Sequence, residues 1–127
     1  MIRFTIPIPP VSKKNSQRIL TNRATGRPFI MPSQKYKDYE EAAVRYLPKL
    51  RQDGPIDGPV NVKCVFYMPT RRKCDLVNML EAADDVLVKG GLLSDDNYTV
   101  IHSHDGSCVM YDKENPRTEI EIEEVSE

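Results

Sequence analysis

MPTRRKCDLVNMLEAADDVLVKGGLLSDDN, residues 68–97, is the stretch on which the reading of this chain turns. A helix is predicted from Asp75 to Lys89, opened by Asp75 as a cap and closed by Gly90 and Gly91. At about 100° per residue, with Asp75 at 0°, Leu76, Met79, Leu80, Ala83, Val86 and Leu87 fall between roughly 20° and 140°. These residues should face a core. Asn78, Glu81 and Asp85 fall at roughly 300°, 240° and 280°, a polar stripe running on from Asp75. The plain reading is a solvated helix face with Asp75 as its N-cap. Two neighbours favour chemistry. Arg71, Arg72 and Lys73 precede the helix, where their charges and the free N–H groups of the first turn can hold a phosphate. Asp95 and Asp96 then return after a tight turn. A 15-residue helix is about 22 Å long, so Asp96 must return along a strand or fold over to meet Asp75.

Upstream, residues 2–8 alternate as a strand ended by Pro9 and Pro10, and a polar loop with Lys13, Lys14 and Asn15 follows. Extended pieces at Arg18–Thr21 and Arg27–Met31, joined by NRATGR, predict a hairpin. Ser33 starts a helix predicted over 34–51, with Tyr36, Tyr39, Ala43, Tyr46, Leu47 and Leu50 on one face. Pro48 should end or kink it near Leu47. Residues 60–68 form a long strand, residues 98–111 contain two extended halves around Asp105 and Gly106, and Thr118–Val125 alternates as the last strand. That acidic strand could be an edge that repels DNA or half of an intersubunit contact. Interleaved strands and helices give an α/β or α+β domain, a mixed sheet with two helices, spanning residues 1–127 as one unit.

Apolar residues at 39% and charged residues at 29% are enough for one core, and no apolar run reaches the roughly 20 residues of a membrane span. MIRFTIPIPP lacks the continuous apolar helix of a signal peptide, and Cys64, Cys74 and Cys108 have neither disulfide-like nor zinc-like spacing. A reduced cytoplasm is expected. The net charge of −1 hides an asymmetry: residues 1–75 carry +9 and residues 76–127 carry −10. Internal charge pairing would account for this, as would a phosphate-binding surface beside a carboxylate cluster, which suits a metal-dependent nuclease.

The residues just quoted also resemble the RusA-type Holliday junction resolvases. IPIPPVSKKNS is similar to that family's opening strand, proline pair and Asn-containing loop, YKDYEEAA to its first helix, MPTRRKCDLVN to its basic run and aspartate motif, and LLSDDN to its Asp-Asp turn. The 21 residues from Asp75 to Asp96 agree with the family pattern. The resemblance, which suggests a phage or prophage origin, implies a homodimer that binds four-way DNA junctions and cuts them with magnesium, manganese being possible, held by aspartates. It puts Asp75 and Asp96 at the metal, with Asp95 beside Asp96, and Asn78 on the family's Asn. Lys13, Lys14, Asn15, Arg71, Arg72, Lys73 and Asn78 would contact DNA. Two positions depart: Val77 stands where the family has its second aspartate, and Glu81 where it has a helix lysine. Glu81 could restore the carboxylate count, with Asp85 a further candidate. Alternatively the site has lost its metal and the protein binds branched DNA without cutting it.

Other residues carry weaker signals. His102, His104 and Asp105 form an HxHD run that puts both histidines on one strand face, where they could be a metal pair or simply lie on a surface or DNA-facing strand. Tyr36, Tyr39 and Tyr46 could stack on bases, though their helical spacing is that of a core. Cys74 lies in the basic loop without a partner base.

Overall fold

A computed structural model describes residues 1–12, 17–49 and 54–126. Five strands make a mixed sheet: β1 (Ile2–Ile6), β4 (Val60–Met68), β5 (Ile101–Ser103), β6 (Cys108–Tyr111) and β7 (Arg117–Glu124). β7 lies between β1 and β4 and is antiparallel to both. β5 pairs in parallel with the start of β4 and β6 with its end, Val60 opposite Ile101 and Val65 opposite Cys108. The acidic C-terminal strand is therefore no edge, which removes one of the two roles considered for it.

Alternation decides which face of the sheet is covered. Val60, Val62, Cys64 and Phe66 of β4 and Thr118, Ile120 and Ile122 of β7 are buried on one face. The opposite face carries paired charges: Glu121 meets Arg3 (3.2 Å) and Lys63 (3.9 Å) across strands, and Arg117 meets Glu119 on its own strand (2.8 Å) and Asp112 in the preceding loop (2.9 Å). Part of the charge asymmetry is thus internal pairing. Where β5 gives way to β6, side chains replace the ladder: Ser107 Oγ accepts from Cys64 N–H (3.0 Å), and Asn61 Oδ1 accepts from Asp105 N–H (2.7 Å).

Two helices supply the covering layer: α1 (Gln34–Val44) and α2 (Leu76–Lys89). Ser33 caps α1 by accepting from Tyr36 N–H, and Tyr36, Tyr39 and Ala43 are buried. The predicted helix over 34–51 is too long. Arg45, Tyr46 and Leu47 donate to carbonyls only three residues back, so the helix tightens and stops before Pro48, and Tyr46 is exposed. Leu50 lies outside the described residues. α2 buries Met79, Ala82, Ala83, Val86 and Leu87, while Leu76 and Leu80 are only partly covered. Lys89 bridges the helices through Glu40 (2.5 Å), whose other oxygen accepts from Tyr36 (2.9 Å).

β2 (Gln17–Thr21) and β3 (Pro28–Pro32) form the expected hairpin as a separate two-stranded sheet. Its Ile19, Leu20, Phe29 and Ile30 are exposed. Gly58, at φ +77° just before β4, faces the Val100 backbone so closely that any side chain would collide with it. That approach lets Val60 N–H reach Val100 O at 2.9 Å and sets the start of β4.

Candidate active site on the edge of α2

Asp75 is the N-cap of α2, its Oδ1 accepting from Val77 N–H at 2.9 Å, so the plain reading of this residue holds as far as that oxygen goes. The carboxylate is exposed at the positive end of the helix, directly after the exposed Arg71, Arg72 and Lys73. No carboxylate among the described residues pairs with these three cations. In this they differ from Arg3, Lys63 and Arg117 on the sheet, which are paired with carboxylates. Arg71 lies over the ring of Tyr111, 4.1 Å from its centroid.

The far end of α2 explains how the acidic turn returns. Gly91, at φ +79°, follows the cap, Gly91 N–H donates to Val88 O (3.0 Å) and Leu92 N–H to Leu87 O (3.0 Å). This reversal buries Leu92 and Leu93. Ile56 clamps the segment, donating to Leu92 O (2.9 Å) and accepting from Ser94 N–H (3.0 Å). In the turn that follows, Asp95 uses both oxygens internally, accepting from Asp96 N–H (2.7 Å) and from Asn97 Nδ2 (3.0 Å). The Asp96 N–H holds the Asp95 carboxyl below the usual range. Asp96 is exposed, and its charge acts on Asp84.

Asp84 and His104 are what the sequence reading missed as a pair. His104 Nδ1 meets Val62 O at 2.9 Å and Nε2 meets Asp84 Oδ2 at 3.0 Å. A ring facing two acceptors satisfies both only as an imidazolium, and the bond to Asp84 raises its pKa above the ordinary histidine value. Burial raises the Asp84 pKa, His104 opposes this, and the charges of Asp96 and Glu81 add to the rise. Among the described residues Asp84 Oδ1 is buried without a hydrogen-bond partner. A signal did exist: Asp84 falls near 180°, at the border of the core-facing arc, where a carboxylate needs a partner. His102, in contrast, is exposed on β5, so the two histidines occupy different environments.

The projected stripe therefore divides. Asp75 caps, Asn78 is partly covered, Glu81 and Asp84 share a field with Asp96, and the Asp85 charge acts on Tyr36 of α1. Burial and the Glu40 hydrogen bond keep the Tyr36 hydroxyl neutral, and burial raises Tyr39 to about 12, so both are core residues rather than base-stacking ones. Asp84 stands nine residues beyond Asp75, about 14 Å of helix rise. Among the described residues no three His, Cys, Asp or Glu side chains gather closely enough to form a ready-made metal cage. The donors are nonetheless all carboxylate oxygens, the chemistry magnesium and manganese take, and magnesium commonly needs only one or two carboxylates besides water and substrate phosphate. Lys13, Lys14 and Asn15 lie outside the described residues.

The family model described as endodeoxyribonuclease RusA matches residues 7–123. The crossover junction endodeoxyribonuclease RusA of Shigella sonnei (strain Ss046) is 33% identical over 97 residues, 76% of this chain and 75% of that protein. Its counterpart in Escherichia coli (strain K12) is 32% identical over the same length and shares. That of Aquifex aeolicus (strain VF5) is 32% identical over 72 residues, 57% of this chain and 56% of its own.

Proposed function

The chain belongs to the RusA endodeoxyribonuclease family, and from that premise we propose that it resolves four-way DNA junctions by metal-dependent hydrolysis of phosphodiester bonds. The observation that carries this reading is the family match over residues 7–123, which includes the cationic loop, Asp75 and the Asp96 turn. Asp75 and Asp96 are the residues that would hold magnesium or manganese, with Glu81 in place of the missing second aspartate and Asp95 and Asp85 as outlying candidates. Bound there, the ion would activate a water and neutralise the leaving oxygen. Arg71, Arg72 and Lys73 bind the phosphates approaching the helix N-terminus, supported by Asn78 and by Lys13, Lys14 and Asn15. A two-fold junction needs two cuts, so the working form is a homodimer. No helix among the described residues is long and apolar enough to cross a membrane, and Cys64, Cys74 and Cys108 are free thiols, in keeping with a reducing cytoplasm.

A second reading, a protein that binds branched DNA without cutting it, is favoured by Val77, 67% exposed where the family has its second aspartate, and by Glu81 in place of the family's lysine. Incubation of a labelled synthetic junction with magnesium, against EDTA and a linear duplex, separates the two. Magnesium-dependent nicks confined to the junction are expected; tight junction binding without nicks would transfer the protein to the second reading.

A further inference from the structure

Between the basic loop and the end of β6 lies an open groove of about 500 Å³, lined by Met68, Arg71, Arg72, Val109, Met110 and Tyr111 among others. Ligand sites for small molecules begin at about 300 Å³, so there is room for one nucleotide. Met110 and Tyr111 are 51% and 40% exposed, large apolar surfaces that the fold leaves open to water. Among the described residues no carboxylate lines the groove, and the adjacent Asp112 is held by Arg117 at 2.9 Å. The guanidinium of Arg71 already lies over the Tyr111 ring, 4.1 Å from its centroid. A groove lined by cations selects an anion, and an arginine over a tyrosine ring offers a surface for a planar group; a nucleotide is both.

We propose that this groove holds one unstacked nucleotide of the branched DNA, its base lying against the Arg71–Tyr111 stack and its phosphate against Arg72. The inference rests on the reading of the chain as a junction-binding nuclease and adds a specificity site to it. Bases stack on aromatic rings and on arginine planes alike, and unstacking costs least where a duplex is already interrupted, as at a branch point. Arg72 is three residues from Asp75, so a nucleotide seated here would fix which phosphate approaches the acidic site and so give cleavage a local sequence preference.

An abasic scan tests this. Junctions carrying a single abasic residue, at positions within three nucleotides of the branch point, are titrated with the protein in EDTA. One position should cost the unmutated protein about tenfold in affinity, a typical loss for one stacked base. Tyr111→Ala should bind the intact junction about tenfold more weakly and be indifferent to that abasic residue, while Tyr111→Phe should behave as the unmutated protein. If Tyr111→Ala fails to fold, Arg71→Gln, a change to an exposed side chain, provides the same comparison. Equal losses in mutant and unmutated protein at every position would overturn the inference and leave the nuclease reading standing. No junction binding by the unmutated protein would overturn both.

Discussion

Asp75 and Asp84 sit nine residues apart on one helix, yet Asp75 is an exposed cap beside cations that pair with no carboxylate among the described residues, while Asp84 is largely buried and joined through His104 to the Val62 carbonyl of β4. The difference separates two tasks. On the proposed function the exposed end of α2 receives an external phosphate, while the buried middle fastens the helix to the sheet. Changes near Asp75 and Asp96 should therefore alter cutting with little change in stability, and changes at Asp84 and His104 should alter stability first.

The largest expected effect is at the two exposed aspartates assigned to the metal. Asp75→Asn or Asp96→Asn should lower cleavage at least about a hundredfold. Asn caps a helix as well as Asp, so Asp75→Asn should move the urea midpoint by less than the equivalent of about 0.5 kcal/mol. Equal losses of stability and cutting would erase the contrast.

At the buried end, His104→Ala should cost about 1–3 kcal/mol in urea unfolding, because Asp84 and the Val62 carbonyl both lose their partner. The pH dependence has a definite sign. His104 has a folded pKa above its unfolded value, so its contribution is fully present below the unfolded pKa, near 6.5, and lost as pH rises through the folded one. The raised Asp84 pKa acts in the same direction in its own lower range. Stability should thus decline from pH 6 upward through the His104 titration, and His104→Gln should flatten that decline. A slope unchanged in the variant would refute the pairing.

Gly58→Ala tests the sheet alone. A left-handed backbone pressed against Val100 should make it cost about 2 kcal/mol or more, with no preference for the acidic site. The smallest effect on stability is expected at Val77→Asp: the side chain is exposed, so stability should change by less than about 0.5 kcal/mol, while an added carboxylate beside Asp75 should raise metal-dependent cutting severalfold.

How much of this was legible depended on whether a residue's task is local. The Asp75 cap, the glycine reversal after Lys89 and the span of β4 follow from neighbouring residues, and each lies where the pattern puts it. The end of α1 is legible only in part: Pro48 marks a stop near Leu47, but Tyr46 and Leu47 continue the helical spacing while the chain already tightens at Arg45. The acidic stripe is legible only as helix geometry. Angles on a helix say which residues share an edge, not what packs there, and α1, β4 and the Asp96 turn divide that edge into separate environments. Asp84 and His104 are 20 residues apart in sequence and meet only because β5 runs beside β4.

The most direct test of the account is cutting of a supercoiled plasmid that extrudes a cruciform, with magnesium, by the unmutated protein and by Asp96→Asn. Paired cuts across one junction release linear plasmid, and the account predicts linear product from the unmutated protein and none from the variant. Plasmid that stays circular under both proteins, with or without metal, would contradict it.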